Sequence, residues 1–145
     1  HQPTIILHRR SRKATLMWTY EQVNGRLYDW RPLIVGEGYA GRDSGKNAPE
    51  AQDQKGIGPL PQGLYTIQPP KDDATVGHYA MRLIPFPENQ MFGRSSFFIH
   101  GDSMDDPGNA SHGCIVMNRI VRTRVWESGD HVLKVVDRLQ TEPVA

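Results

Sequence analysis

The chain's single cysteine, Cys114, follows His100 at a distance that a loop rich in glycine and aspartate can bridge. A cysteine is nucleophilic only as the thiolate, and an unperturbed thiol is mostly protonated at neutral pH. A nearby imidazole can remove that proton if the loop returns His100 to Cys114 in the fold. These residue types predict acyl transfer, with Cys114 as nucleophile and His100 as general base and then as general acid toward a leaving amine.

The residues beside the cysteine are suited to shaping such a site. Ser111, His112 and Gly113 precede Cys114 directly, and Gly113 leaves room for backbone N–H groups to approach a carbonyl oxygen as an oxyanion hole. Short apolar runs adjoin both Cys114 and His100, which predicts that each lies where a strand meets a loop. Reactive side chains are usually placed at such positions.

Two other interpretations of these residues stay open. A lone cysteine is often an inert buried residue that packs as a small hydrophobe. His100, His112 and Cys114 are also ligand types for zinc, although the chain has no second cysteine and the spacing matches no closed structural zinc site. Because the Ser-His-Gly-Cys string is specific for its length, we favour catalysis and expect no metal and no other cofactor.

The pattern His-Gly at 100–101, a loop, and Ser-His-Gly-Cys-Ile at 111–115 resembles the signature of the L,D-transpeptidase catalytic domain, the YkuD-type family. The resemblance implies a mainly β fold, a sandwich or barrel with one or two short helices. It also implies that Cys114 is the nucleophile, that His100 is its base, and that the acyl donor is a peptidoglycan stem peptide. Four further residues would shape the site: Gly101, Ser111, His112 and Gly113.

The sequence departs from the common pattern of that family in two places. Only ten residues lie between His100 and Ser111, which predicts a shortened lid over the site. Val116 stands where many members carry an arginine, so the substrate carboxylate needs another partner, and a guanidinium fork suits a carboxylate. The candidates for substrate binding are Tyr39, Arg94, Asp102, Arg119 and Arg122.

A second element supports the same family. Residues 58–67 read Gly-Pro-Leu-Pro-Gln-Gly-Leu-Tyr-Thr-Ile, in which two prolines and a glycine predict a rigid turn that leads into a strand. This stretch is similar to the proline-x-glycine-x-aromatic-x-isoleucine element that precedes the catalytic half of the family. With Trp-Thr-Tyr at 18–20 and His-Gly-Asp at 100–102, the chain looks most like the small L,D-transpeptidase-like effectors exported by type VI secretion systems.

The hydrophobic pattern predicts a mainly β domain. Asn24-Gly25 is a hairpin signal, Asn118 is a suitable helix cap, and glycines between 36 and 41 indicate close packing. The helix that follows Asn118 should run through Trp126, with Ile120, Val121, Arg124 and Val125 on its packed side. Strands are expected near 17–20, 26–28, 32–35, 64–67, 78–84, 96–99 and 131–136, with loops at 42–55 and 69–77.

Length and composition indicate one domain. The 145 residues support a modest single core, and the formal net charge of +1 offers no electrostatic case for a nucleic-acid partner. No apolar run reaches the ~18 residues that a membrane helix needs. We divide the chain into an N-terminal extension or cloning remnant at 1–16, a catalytic domain at 17–137 and a polar tail at 138–145. The first segment lacks the charge order of a secretory signal.

The function implied is cleavage of the meso-diaminopimelate–D-alanine bond of a stem peptide. A shortened lid favours hydrolysis, an L,D-carboxypeptidase activity, and exchange with free D-amino acids. The protein would be made in the cytoplasm without a visible signal peptide and would act in the periplasm of a target bacterium. A cognate immunity protein and a secretion-system component are expected partners, but nucleic acid and membrane are not. Two alternatives are a housekeeping L,D-transpeptidase that forms 3-3 cross-links and a non-catalytic wall-binding module.

Overall fold

The computed structural model describes residues 16–140, which form ten strands, one α-helix and two short 3₁₀ turns. The expected N-terminal extension therefore lies almost entirely outside the described residues. The elements are β1 (Trp18–Glu21), β2 (Arg26–Tyr28), β3 (Ile34–Glu37), β4 (Tyr39–Ala40), β5 (Gly63–Ile67), β6 (Lys71–Asp73), β7 (Gly77–Pro85), β8 (Phe97–His100), β9 (Ile115–Val116), α1 (Arg119–Glu127) and β10 (Val132–Val136), with 3₁₀ turns at Asp43–Gly45 and Pro49–Ala51.

The strands form one sheet that is nearly closed into a barrel. Their order is β3-β2-β1-β10-β5-β7-β8-β9-β4, and β6 pairs with β7 beside this path. Within residues 16–140, the β1·β10 and β8·β9 pairs are parallel and the other pairs are antiparallel. The strands at the two ends of this order, β3 and β4, are separated in sequence by Gly38 alone. The segment 34–40 therefore pairs with β2 through β3 and with β9 through β4. This architecture confirms the predicted mainly β fold.

Close backbone packing at Gly38 makes this closure possible. The Gly38 N–H donates to the Gly25 carbonyl, with 2.8 Å between N and O. A Cβ atom at Gly38 would lie 1.7 Å from the Val116 carbonyl oxygen, and one at Gly25 would lie 2.0 Å from the Gly38 oxygen. The glycine pattern therefore correctly predicts close packing in this segment.

Alternating side chains fill the interior of the barrel. In β8, Phe97 and Ile99 are buried in the core, so Phe98 and His100 point to the opposite side of the sheet. Full burial of each large apolar side chain contributes about 1.5–3 kcal/mol. The core contains, among others, Trp18, Tyr20, Leu27, Tyr65, Ile67, Met81, Leu83, Ile115, Leu133 and Val135. The site residues are thus held on the outer side of a rigid sheet.

Helix α1 packs on the sheet next to β3. The Asn118 side chain accepts a hydrogen bond from the Val121 N–H at 2.9 Å, which confirms the predicted cap. Val121 and Val125 are buried, and Gly36 leaves room for Val121. The prediction for Ile120 is wrong, because its side chain is 80% exposed. Burial on this helix falls instead on Arg122.

Two further predictions need correction. The segment at 69–77 contains β6, whose polar residues lack the alternation of a half-buried strand. It pairs with β7 as a hairpin, and the Asp73 carboxylate accepts hydrogen bonds from the N–H groups of Thr75 and Val76. The strand expected at 32–35 lies at Ile34–Glu37. Within the described part of the chain, no helix has the length and apolar character needed to cross a membrane.

Candidate active site

The parallel pairing of β8 with β9 brings Cys114 and His100 to one face of the sheet. Ile99 lies opposite Ile115 and His100 lies opposite Val116, so Cys114, just before β9, lies beside Phe98. His100 is two residues farther along β8 on the same side as Phe98. Standard strand spacing puts the Cα atoms of Cys114 and His100 about 8 Å apart, a gap that their side chains can span.

A contact with the carbonyl of the next residue, Gly101, fixes the tautomer of His100. Its ring is 4% exposed, and Nδ1 lies 2.7 Å from the Gly101 carbonyl oxygen. Because a carbonyl oxygen only accepts, Nδ1 carries the proton and Nε2 keeps its lone pair. Burial lowers the pKa of His100 below 6.5, and the charge of Arg122 acts in the same direction. The neutral imidazole can therefore serve as a base at pH 7.

Cys114 is a neutral thiol in this environment. Burial raises its pKa to about 11, although the Phe98 N–H and the charge of Arg94 favour the thiolate. The Phe98 nitrogen lies 3.3 Å from Sγ. The resting site therefore combines a neutral thiol with a neutral imidazole, and proton removal must accompany attack on a substrate.

The buried Ser111 hydroxyl organises the backbone around Cys114. It accepts hydrogen bonds from the Gly41 N–H at 2.9 Å and the Gly113 N–H at 3.0 Å. It donates to the Cys114 carbonyl at 2.6 Å. The Gly113 N–H is thus bonded within the loop, whereas the sequence predicts oxyanion donors around this glycine.

Gly113 is required for steric reasons. Its φ is +141°, and a Cβ atom there would lie 2.7 Å from both Arg94 Nη2 and Phe97 Cε1. This is a backbone conformation that side-chain-bearing residues rarely adopt. Gly113 therefore allows the loop at 111–114, the cysteine loop, to lie directly on the buried Arg94.

Arg94 is a structural arginine whose donors are bonded to backbone carbonyls. Its guanidinium donates to Gln52 O at 2.6 Å, Pro59 O at 2.8 Å, Gly58 O at 2.9 Å and His112 O at 3.2 Å. The Leu60 N–H also donates to the Gly113 carbonyl at 2.9 Å. The proline-containing turn and Arg94 therefore support the cysteine loop, and Arg94 is not a free partner for a substrate carboxylate.

Tyr39 and Asp102 hold the short loop that follows His100. The Tyr39 hydroxyl donates to Asp102 Oδ1 at 2.6 Å and accepts from the Ala110 N–H at 2.9 Å. Asp102 also accepts from the N–H groups of Ser103 and Gly108. Burial alone would raise the pKa of Asp102, but these hydrogen bonds outweigh it and lower the pKa. Both candidate substrate-binding residues are thus bonded to the loop itself.

The two arginines of α1 have different surroundings. Arg122 is buried and donates to the carbonyls of His78 at 2.9 Å and Tyr79 at 3.1 Å. A Cβ atom at Gly101 would lie 2.9 Å from its Nη2, so Arg122 supports the corner next to His100. Arg119 lies over the Tyr79 ring at 4.2 Å and lines a separate cleft that contains Trp18 and Trp30.

The exposed side chain of His112 contacts Arg42, which donates a hydrogen bond to its Nε2. The zinc interpretation requires His112 to converge with His100 and Cys114. Within residues 16–140, no three histidine, cysteine, aspartate or glutamate side chains are grouped closely enough to hold a metal ion. The geometry therefore gives the zinc interpretation no support.

Two clefts meet at Cys114. The larger, about 920 Å³, also contains His100 and extends under the β6–β7 hairpin. The smaller, about 220 Å³, contains Lys55 and Ser95, and Ser96 and His112 lie on the boundary of both. A peptide can therefore reach the thiol from two sides.

Three charged residues that line the larger cleft are absent from the site residues predicted from the sequence: Arg42, Asp73 and Arg82. Alternation within 78–84 predicts that Arg82 points away from Met81 and Leu83. No local signal indicates that its strand lies next to β8, because that pairing joins distant parts of the chain.

A family model described as the Tlde1 domain matches residues 35–141. This span includes His100, Cys114 and all the strands from β4 to β10. Members of this family are type VI secretion effectors that modify peptidoglycan. No curated protein and no solved structure gives a match. The predicted relationship to type VI effectors is confirmed at this level, whereas membership of the YkuD-type family stays a prediction.

Proposed function

We propose that this chain, which belongs to the Tlde1 domain family, is a cysteine-dependent acyl transferase that cleaves peptidoglycan stem peptides. The observation that supports this reaction is the common face of Cys114 and His100 at the floor of the larger cleft. The Nδ1 contact to Gly101 leaves His100 Nε2 free to accept the thiol proton.

The first half-reaction forms a thioester and releases an amine. His100 Nε2 takes the Cys114 proton as Sγ attacks the carbonyl carbon of the scissile amide. The resulting tetrahedral intermediate collapses, the carbon–nitrogen bond breaks, and the imidazolium gives its proton to the leaving nitrogen. The acyl group then remains on Sγ and His100 is neutral again.

The second half-reaction transfers the acyl group to an acceptor. His100 takes a proton from water or from the amine of a free D-amino acid, and the acceptor attacks the thioester carbon. The carbon–sulfur bond breaks and the thiolate recovers the proton. Water gives hydrolysis, whereas a D-amino acid gives exchange. Hydrogen bonds from the Ser103 and Gly108 N–H groups to Asp102 hold the short loop at 101–110, and we expect a loop of this length to admit both acceptors to the cleft.

The proposed bond joins meso-diaminopimelate to the terminal D-alanine of a tetrapeptide stem. A stem peptide carries several carboxylates, and Arg42 and Arg82 supply positive charge at the cleft. The cleft of about 920 Å³ is within the range of small-molecule sites. In a type VI effector this reaction would occur in the periplasm of the target bacterium, where a cognate immunity protein would oppose it.

The test compares wild type, Cys114→Ala and His100→Ala on purified tetrapeptide muropeptides, with and without an added D-amino acid. Mass spectrometry of the products measures released D-alanine, exchanged stems and cross-linked dimers. We expect hydrolysis and exchange by wild type and a loss of at least about 10³-fold in both variants. Arg119→Gln is the control, since Arg119 lines a separate cleft.

Each alternative has its own outcome in this assay. Undiminished turnover by Cys114→Ala would contradict the proposed mechanism. Cross-linked dimers as the sole wild-type product would identify a 3-3 transpeptidase. A wall-binding module would release nothing, and its binding to sacculi would be the same in wild type and Cys114→Ala.

A further inference from the structure

We propose that Arg82 binds the free carboxylate of the terminal amino acid that leaves the substrate in the first half-reaction. This role rests on the proposed function and adds a specificity-determining residue to it. Strand β9, which follows Cys114, cannot supply this contact at Val116, because that side chain is apolar and buried.

Arg82 lies in line with the nucleophile across three strands. It pairs in register with Phe98 of β8, and Phe98 lies beside Cys114. Two strand spacings separate the Cα atoms of Arg82 and Cys114 by about 10 Å. The Arg82 guanidinium lies 5.7 Å from the centroid of the Phe98 ring, so the side chain extends back over β8 toward the cleft.

The guanidinium of Arg82 also has hydrogen-bond donors that are available to a ligand. Its side chain is exposed and, within residues 16–140, its guanidinium makes no hydrogen bond or ion pair. By contrast, Arg94 and Arg122 are buried and bonded to carbonyls, and Arg42 contacts His112 and Asp43. Arg82 is therefore the arginine of this cleft with a planar fork that is open to a ligand.

Asp73, which also lines this cleft, does not neutralise the Arg82 guanidinium. Hydrogen bonds from the Val76 and Thr75 N–H groups lower the pKa of Asp73, and the charge of Arg82 adds to this effect. Asp73 is turned into its own hairpin by those hydrogen bonds, and it forms no ion pair with Arg82 within residues 16–140. Arg82 thus keeps a net attraction for an incoming carboxylate.

The reaction geometry indicates which carboxylate this is. His100 lies two residues farther along β8 than Phe98, and β8 is the strand between β7, which carries Arg82, and β9, which follows Cys114. A scissile nitrogen that receives a proton from His100 lies over β8, one strand closer to β7 than Cys114 is. In the leaving amino acid, the carboxyl carbon is only about 2.5 Å from that nitrogen. Its carboxylate therefore stays close to the nitrogen and lies within reach of the Arg82 guanidinium, which extends over Phe98.

The experiment uses two tetrapeptide stems that end in D-alanine or in D-alaninamide, which lacks the negative charge. Release of the terminal residue is measured as kcat/KM for wild type, Arg82→Gln, Arg82→Lys and Arg119→Gln. Arg119 is a matched control because it also lies over an aromatic ring but lines a different cleft. Since Arg82 is exposed, its substitution leaves the core unchanged, and thermal unfolding checks this.

We expect wild type to prefer the free acid by roughly 10- to 100-fold, the range of a charge-assisted bidentate contact. Arg82→Gln should lose this factor on the acid alone, Arg82→Lys should be intermediate, and Arg119→Gln should match wild type. An undiminished acid preference in Arg82→Gln, or equal loss on both stems, would overturn the role of Arg82. If wild type releases neither residue, the proposed function itself fails.

Discussion

At the scale of single residues, burial determines the protonation of the two catalytic candidates. It raises the pKa of Cys114 to about 11 and lowers the pKa of His100 below 6.5. These directions are opposite to those that would stabilise a thiolate–imidazolium pair. The site therefore depends on proton transfer during attack, for which the fixed tautomer of His100 is suited.

The pH dependence of turnover should follow from this neutral pair. His100 must be neutral to accept the thiol proton, so kcat/KM should fall as pH decreases through its depressed pKa, which lies below 6.5. Toward alkaline pH the profile should stay level through pH 9, because the thiol titrates near 11. The rate of D-alanine release, measured between pH 4 and pH 9.5, covers both the acid limb and the level region.

Alkylation of Cys114 by iodoacetamide provides an independent check of the same prediction. The rate should continue to rise through pH 9 as the thiolate fraction increases. A rate that is constant between pH 6 and pH 9 would instead indicate a preformed thiolate–imidazolium pair, and an acid limb of turnover centred above pH 7 would contradict the lowered pKa of His100.

At the scale of elements, the nucleophile is held by loop contacts more than by its two-residue strand. Ser111 joins the segment after β4 to the cysteine loop, and Arg94 joins that loop to the turn before β5. Three distant segments therefore meet behind Cys114. This explains why a proline turn more than 50 residues upstream belongs to the site.

Ser111→Ala tests this support. The change leaves the buried N–H groups of Gly41 and Gly113 without their acceptor, at about 1–3 kcal/mol each. We expect the free energy of unfolding to fall by roughly 2–6 kcal/mol and kcat to fall with it. Urea denaturation at pH 7 measures the stability, and Ser95→Ala, an exposed serine, should stay within about 0.5 kcal/mol of wild type. A Ser111→Ala protein as stable as wild type would contradict this account.

At the scale of the whole molecule, barrel closure and site formation depend on the same segment. The chain passes from β3 to β4 through Gly38, which contacts the carbonyl of Val116 in β9. Because β9 follows Cys114 directly, a change in closure is transmitted to the nucleophile. Stability and activity are therefore coupled at this corner.

Gly38→Ala should disrupt the packing of the β3–β4 junction against β9. A Cβ atom 1.7 Å from a backbone oxygen forces the sheet edges apart, which should cost more than about 3 kcal/mol of unfolding free energy and abolish turnover. Gly129→Ala is the control, because its φ is +81° but nothing lies within 4 Å of an added Cβ. That change should cost only about 1–2 kcal/mol. Thermal unfolding compares the two, and equal losses would contradict the steric explanation.

Local patterns in the sequence predicted most of the secondary-structure elements and supplied the candidates for the proposed chemistry. The residue types at 100 and 111–114 identify a thiol and a base, and alternation predicts the strand that carries Phe97 and Ile99. Asn24-Gly25 and Asn118 mark a hairpin and a helix start, since turns and caps depend on neighbouring residues. The exposure of Ile120 and the strand β6 differ from the predictions, because tertiary contacts overrode the local sequence pattern at both places.

Only the tertiary structure decided which charged side chains face the thiol. The sequence presents Arg82, Arg94 and Arg122 as equivalent cations, yet two are buried against carbonyls and one is open to the cleft. Whether each arginine is buried or faces the cleft depends on the β7·β8 and β8·β9 pairings, which join segments far apart in the chain. Periodicity shows which face of a strand a residue occupies, but it carries no information about the neighbouring strand. The amino-acid sequence by itself therefore determined which thiol and imidazole are the candidates for nucleophile and base, whereas long-range strand pairing determined their surroundings.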